Sequence, residues 1–167
     1  PETLVEVNAI ESTMNKNEIH TQVYTDTLST EASFKSLDGQ SCKIIHIATH
    51  GFYYSKDDSV KMKSAKLDYL ANQMDRYSRS YEEDLSLTRS GLLMAGCNII
   101  LRGYKLPNDI DDGILFSKEI AGMNLKNVEL TVLSSCDSGL GDVTGEGVFG
   151  LQRAFKKAGA QSILMRI

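Results

Sequence analysis

Hydrophobic and polar positions along this 167-residue chain follow two different periods. Apolar residues recur three or four positions apart over Thr3–Met14 and again over Val148–Ala158, which predicts two amphipathic helices. Other runs are short and mostly apolar, and they predict buried strands at Lys43–Thr49, Gly91–Cys97, Val128–Ser135 and from Ser162 onward. Because strands and helices alternate, the pattern predicts an α/β fold with a mostly parallel sheet.

Three weaker signals add short elements to this fold. Residues Ile19–Thr25 alternate between polar and apolar side chains, which predicts a short strand. Thr30 and Ser117 each precede a few residues at helical spacing, so both are predicted to cap short helices.

The stretch from Lys56 to Arg89 differs in character from the rest of the chain. It carries seven basic and seven acidic residues, and its apolar residues at helical spacing are Leu67, Leu70, Met74 and Tyr77. We interpret residues 55–90 as a charged helical insertion over the sheet edge. It is either a lid or partner-docking helix, or simply a solvated insertion.

Length, composition and charge limit the classes of protein to which the chain can belong. The length fits a single domain over residues 1–167, and 41% apolar with 24% charged residues is typical of globular proteins. A net charge of -4 argues against direct nucleic-acid binding, and no run approaches the length of a membrane span. Three cysteines without metal-knuckle spacing favour reduced thiols in the cytoplasm. The chain starts at Pro1 and stops within an apolar run, so we expect it to be part of a longer protein.

Two residues with catalytic potential follow predicted buried strands. His50 comes after the strand Lys43–Thr49, and Cys136 comes after Val128–Ser135. If these strands are parallel neighbours, both residues lie at the same sheet edge and can form a Cys/His dyad. The Cys136 thiolate would be the nucleophile and His50 the proton acceptor. The backbone N–H groups of Gly51 and Cys136 are candidate donors to an oxyanion.

The same residues also allow other interpretations. A cysteine at a strand end is often a small buried hydrophobe, and a strand histidine such as His46 is often a hydrogen-bonded core residue that can at most orient the catalytic loop. Gly139–Gly147 can in principle cradle a phosphate, although Asp142 and Glu146 oppose an anion. Phosphatase, serine-hydrolase, Walker and zinc motifs are not matched, and no metal or organic cofactor is implied.

Several spaced motifs resemble CHAT domains, the caspase-like peptidase module often found behind tetratricopeptide repeats. Where the family typically reads Ser-Ala-Cys-Glu-Thr-Gly, this chain reads Ser-Ser-Cys-Asp-Ser-Gly. The similar segments cover nearly all of the chain except Ser55–Arg89, and they are IHIATHG (Ile45–Gly51), LLMAGCN (Leu92–Asn98), Asp111–Gly141 and Gly145–Met165.

The resemblance implies a caspase-like three-layer sandwich and a cysteine endopeptidase without cofactor. It assigns the nucleophile to Cys136, the general base to His50 and an oxyanion donor to Gly51. By location only, Asp112 and Asp137 are candidates for a substrate pocket that selects Lys or Arg. Each of them can instead stabilise its own turn. The alternative pocket is an apolar one built from Leu and Met residues.

The resemblance also implies a wider setting. Relatives usually have one more strand before Pro1 and further helices after Ile167. A protein or peptide substrate and a regulatory partner or tetratricopeptide-type region are expected, with bacterial defence as one setting. The alternative function is a catalytically idle interaction module with the same fold.

Overall fold

The computed structural model describes residues 2–53, 85–104, 106–107, 111–134 and 145–166. Their helices are α1 (Glu2–Lys16), a 3-10 turn (Asp26–Leu28), α2 (Glu31–Lys35), α3 (Leu85–Thr88), α4 (Cys97–Leu101), α5 (Ser117–Ala121) and α6 (Gly145–Ala158). Their strands are β1 (Ile44–Ile47), β2 (His50–Tyr53), β3 (Ser90–Leu93), β4 (Ile114–Phe116), β5 (Leu130–Ser134) and β6 (Ser162–Arg166). The predicted helical insertion at 55–90 lies mostly outside the described residues.

A parallel sheet of three strands in the order β1-β5-β6 is one half of the fold. In β1 and β5 the residues that face the core alternate with half-buried or exposed ones, because only one face is packed on the main core. Helix α6 covers that face with residues spaced three or four apart: Leu151, Ala154, Phe155 and Ala158.

An antiparallel sheet in the order β2-β3-β4 is the other half. Apart from His50 and Gly51 at one end of β2, its residues are buried on both faces. Leu92 and Leu115 join the main core with α6, whereas the opposite face packs against α4 through a second cluster: Phe52, Leu93, Ile100, Leu101, Ile114 and Phe116.

The α/β class predicted from the sequence is confirmed, but the described strands do not form one mostly parallel sheet. Three of the six described strands are antiparallel. Only Ala48 and Thr49 separate β1 from β2, too few for the crossover of a dozen or more residues that a parallel neighbour needs, and β2 instead pairs with β3 in the other sheet. The three-layer caspase-like arrangement stays an expectation.

Of the three weaker sequence signals, only the cap at Thr30 is confirmed. Thr30 caps α2 as expected, since its hydroxyl accepts a hydrogen bond from the Ser33 N–H at 3.1 Å. Residues 19–25 are not a strand, because none of the strands that the structure describes pairs with them. Ser117 is the first residue of α5 rather than its cap, and the Phe116 N–H is satisfied by the Glu119 carboxylate at 2.9 Å.

Within the part of the chain that the structure describes, no helix combines the length and the apolar character that crossing a bilayer requires.

Candidate active site

The carboxyl ends of β1 and β5 lie side by side. The strands pair in parallel, with Ile44 opposite Leu130 and Ile47 opposite Leu133. His50 is the third residue after Ile47, and Cys136 is the third residue after Leu133 in the sequence. The predicted neighbourhood of the two strands is therefore confirmed. Cys136 and Asp137 themselves lie outside the described residues.

His50 is exposed and begins β2, where it pairs with Leu93 of β3. The turn before it is fixed by Thr49, whose hydroxyl donates to the Leu93 carbonyl at 2.5 Å. Gly51, the candidate oxyanion donor, is the next residue of β2 and is half-buried. The imidazole is thus presented from a strand end rather than from a free loop.

Glu6 of α1 connects the two strands that lead to the candidate dyad. One carboxylate oxygen lies 3.1 Å from Nε2 of His46 on β1, and the other accepts from the Ser134 hydroxyl on β5 at 2.9 Å. His46 therefore has a partner on the α1 side of the sheet. Its role is to hold β1 to α1 and, through Glu6, to β5.

Asp112 lies in the short turn that leads into β4. Its Oδ1 accepts a hydrogen bond from the Ile114 N–H at 2.9 Å, so this carboxylate does stabilise its own turn. Ile114 is paired with Leu93, and Leu93 is paired with His50. With strands about 4.8 Å apart, the turn begins roughly 10 Å from His50, at the same end of the antiparallel sheet.

A charged cluster lies beneath this turn. Lys35 of α2 contacts Glu31 at 2.9 Å, Glu119 at 3.0 Å and Asp111 at 3.2 Å. Burial raises the pKa of Glu31 above its ordinary value, although Lys35 opposes the shift. Burial opposes the change, but Glu31 and Glu119 together raise the pKa of Lys35, so the ammonium stays charged at neutral pH.

The two cysteines that the structure describes pack against the core clusters. Cys42 donates to the Ile44 carbonyl at 3.1 Å. Burial raises the pKa of Cys97, which keeps it a thiol rather than a thiolate at neutral pH. Neither has the environment of an activated nucleophile.

No group of three or more His, Cys, Asp or Glu side chains able to hold a metal ion occurs among the described residues. Two connecting residues were not found from the sequence, namely Glu6 and Glu31. Each acts on partners far away in the chain: Glu6 on Ser134, and Glu31 on Gly113 and Ile114. No local spacing signals such contacts.

A family model described as the CHAT domain matches residues 1–166. Neither the curated proteins nor the solved structures yield a significant match.

Proposed function

The chain belongs to the CHAT-domain family, a group related to caspase-like cysteine peptidases, and from that premise we propose that it is a cysteine endopeptidase with His50 and Cys136 as its dyad. The observation that carries the proposal is the register of β1 and β5. It pairs Ile47 with Leu133, and the two candidate residues each follow three positions later.

The proposed reaction uses the ordinary steps of thiol peptidases. His50 accepts the thiol proton of Cys136, and the thiolate attacks the scissile carbonyl carbon. The peptide C–N bond breaks as the imidazolium returns its proton to the leaving amine, which leaves a thioester. Water then attacks the thioester, with His50 as base, and releases the acid and the thiol.

Charge develops on the carbonyl oxygen during both attacks. In our proposal the N–H groups of Gly51 and Cys136 donate to this oxyanion. Gly51 directly follows His50 in β2, so donor and base would be held by one strand, whose position is fixed by its pairing with β3. No step of this scheme requires a metal or an organic cofactor.

Substrate selection is proposed to involve the turn at Asp112. A carboxylate at the His50 end of the antiparallel sheet favours Lys or Arg before the scissile bond. Asp137, which directly follows the nucleophile, is a second candidate on sequence grounds. We also propose that a partner protein or a neighbouring repeat region gates the site.

The decisive experiment combines thiol labelling with peptide cleavage on the longest natural form of the protein. Iodoacetamide labelling across pH, with sites assigned by mass spectrometry, should modify Cys136 far faster than Cys42 and Cys97 below pH 7. His50→Ala should remove this difference and lower peptide cleavage by at least about 100-fold. Cys136→Ala should abolish cleavage.

Matched controls separate chemistry from folding. His20→Ala replaces an exposed histidine in the segment that follows α1. Cys97→Ala replaces a partly buried thiol whose pKa is raised. Both should retain cleavage. Two results together would favour the idle interaction module instead. All three cysteines would be labelled equally, with or without an activating partner, and the Cys136→Ala variant would keep the effect that the wild-type protein has in cells.

A further inference from the structure

Glu31 is a buried carboxylate that the proposed reaction does not use. It is the first residue of α2 and only 3% exposed. Its Oε1 accepts from the Gly113 N–H at 2.6 Å and from the Ile114 N–H at 3.1 Å. Its Oε2 accepts from Lys35 at 2.9 Å. A carboxylate with this many donors is a strong anchor for the backbone it binds.

The backbone that Glu31 binds is the turn containing Asp112. The Ile114 N–H is shared, since Asp112 Oδ1 accepts from it at 2.9 Å while Glu31 Oε1 accepts from it at 3.1 Å. The two carboxylates are therefore close neighbours across one donor. Loss of Glu31 would therefore remove an acceptor that holds the turn and a carboxylate next to Asp112.

Two further contacts hold the same turn from the other side. The Gly113 carbonyl accepts from the Met94 N–H at 2.7 Å. Gly113 also lies so close to the start of α4 that an added Cβ would come within 2.2 Å of the Cys97 nitrogen. Glu31 is the member of this set that joins the Gly113 and Ile114 amides to α2.

We infer that Glu31 is a positioning residue for the Asp111–Gly113 turn, and that selection of the substrate side chain next to the scissile bond depends on it without direct contact. Lys35 balances its charge and extends the anchor to Asp111. The effect on selection rests on the proposed peptidase function, whereas the effect on the turn does not.

The turn should respond to single substitutions at Glu31, because this carboxylate belongs to a balanced cluster of charges. Glu31, Asp111 and Glu119 all contact Lys35, and burial raises the pKa of Glu31. Glu31→Ala removes the acceptor for the Gly113 N–H and leaves that donor buried and unsatisfied. Glu31→Gln keeps a neutral oxygen acceptor, so it should rescue the turn in part.

The test starts with hydrogen exchange at the amides of Gly113 and Ile114. Glu31→Ala should accelerate exchange at these amides by about tenfold or more, and Glu31→Gln by less. The matched control is Glu129→Ala, which removes an exposed carboxylate that pairs with Lys43 on the surface and should change neither amide. Unchanged exchange in Glu31→Ala overturns the inference.

The second readout is selectivity. Two fluorogenic peptides that differ only by Arg or Leu before the scissile bond are compared by their kcat/KM ratio, while iodoacetamide labelling of Cys136 reports the dyad. Glu31→Ala should reduce the ratio by about tenfold and leave the labelling rate within about twofold. Faster exchange with an unchanged ratio overturns the role in selection.

Two remaining outcomes are also decisive. If Glu31→Ala does not fold, Glu31→Gln and Lys35→Met carry the test, and both should move exchange and selectivity in the same direction by less. If the wild-type protein cleaves no peptide and Cys136 is not preferentially labelled, the proposed function fails and the role in selection fails with it. Amide exchange then still decides whether Glu31 holds the turn.

Discussion

Individual residues near the candidate site are constrained by backbone groups that need partners or space. The Gly113 N–H is bound by Glu31, its carbonyl by Met94, and its α-carbon is packed against the start of α4. Its φ of +79° lies in the left-handed region, where residues with a Cβ are strained. Both the conformation and the lack of space therefore require glycine here.

Gly113→Ala should be strongly destabilising. Backbone strain and the clash with Cys97 together predict a loss of about 2–4 kcal/mol in the free energy of unfolding, measured by urea denaturation. Gly39→Ala is the control, because Gly39 has a similar φ of +71° but no atom within 4 Å of an added Cβ. It should cost only about 1 kcal/mol. Equal losses at the two positions would show that packing at Gly113 contributes nothing.

Secondary-structure elements owe their places mainly to one apolar face each. Helix α6 presents Leu151, Ala154, Phe155 and Ala158 to the main core, with Phe155 in edge-to-face contact with Phe34 at 6.2 Å between ring centroids. Because the core side of the parallel sheet and the inner face of β3 and β4 both reach this cluster, α6 joins the two sheets.

Phe155→Ala should therefore affect the whole domain. Removal of this fully buried ring is expected to lower the free energy of unfolding by about 3–5 kcal/mol. Lys157→Ala, on the exposed face of the same helix, should stay within about 0.5 kcal/mol of wild type. Thermal and urea unfolding monitored by circular dichroism will measure both. A loss below about 1 kcal/mol at Phe155 would contradict the central place of α6.

The elements that the sequence revealed are those with strong periodicity and burial. The apolar spacing of α6 and the β-branched runs of β1 and β5 predicted them, and the parallel pairing of β1 with β5 followed. The short β4 was missed because three residues, Ile114–Phe116, carry too little pattern. The sequence predicts His50 just after the end of a strand and does not reveal that it begins β2, because only two residues separate β2 from β1. Glu31 could not be found, since its backbone partners lie 82 and 83 positions away.

At the scale of the whole molecule, stability depends on pH through groups whose pKa changes on folding. Burial holds the pKa of Glu31 above its ordinary value of 4.5, so the folded protein binds this proton more tightly than the unfolded chain. The resulting stabilisation is complete below about pH 4.5 and is lost as the pH rises through the raised pKa. Lys35 stays charged over this interval because its pKa is raised.

Wild-type stability should consequently fall relative to Glu31→Gln as the pH rises from 4.5 toward neutrality. Urea denaturation of both proteins at several pH values in this interval, with unchanged m values, gives the difference in free energy of unfolding directly. Glu129→Gln provides the exposed control and should show no such trend. A difference that is constant or moves in favour of wild type would mean that burial does not raise the pKa of Glu31.

The pairing of Tyr53 with Ser90 has a consequence for engineering the protein. These residues face each other at the ends of β2 and β3, so the chain leaves the antiparallel sheet and returns to it at almost the same point. For a chain closed between fixed, adjacent ends, each doubling of its length adds only about 0.6 kcal/mol to the entropic cost of closure. The β2–β3 pairing should therefore tolerate changes in the length of the intervening sequence that leave the buried Leu87 and Thr88 in place.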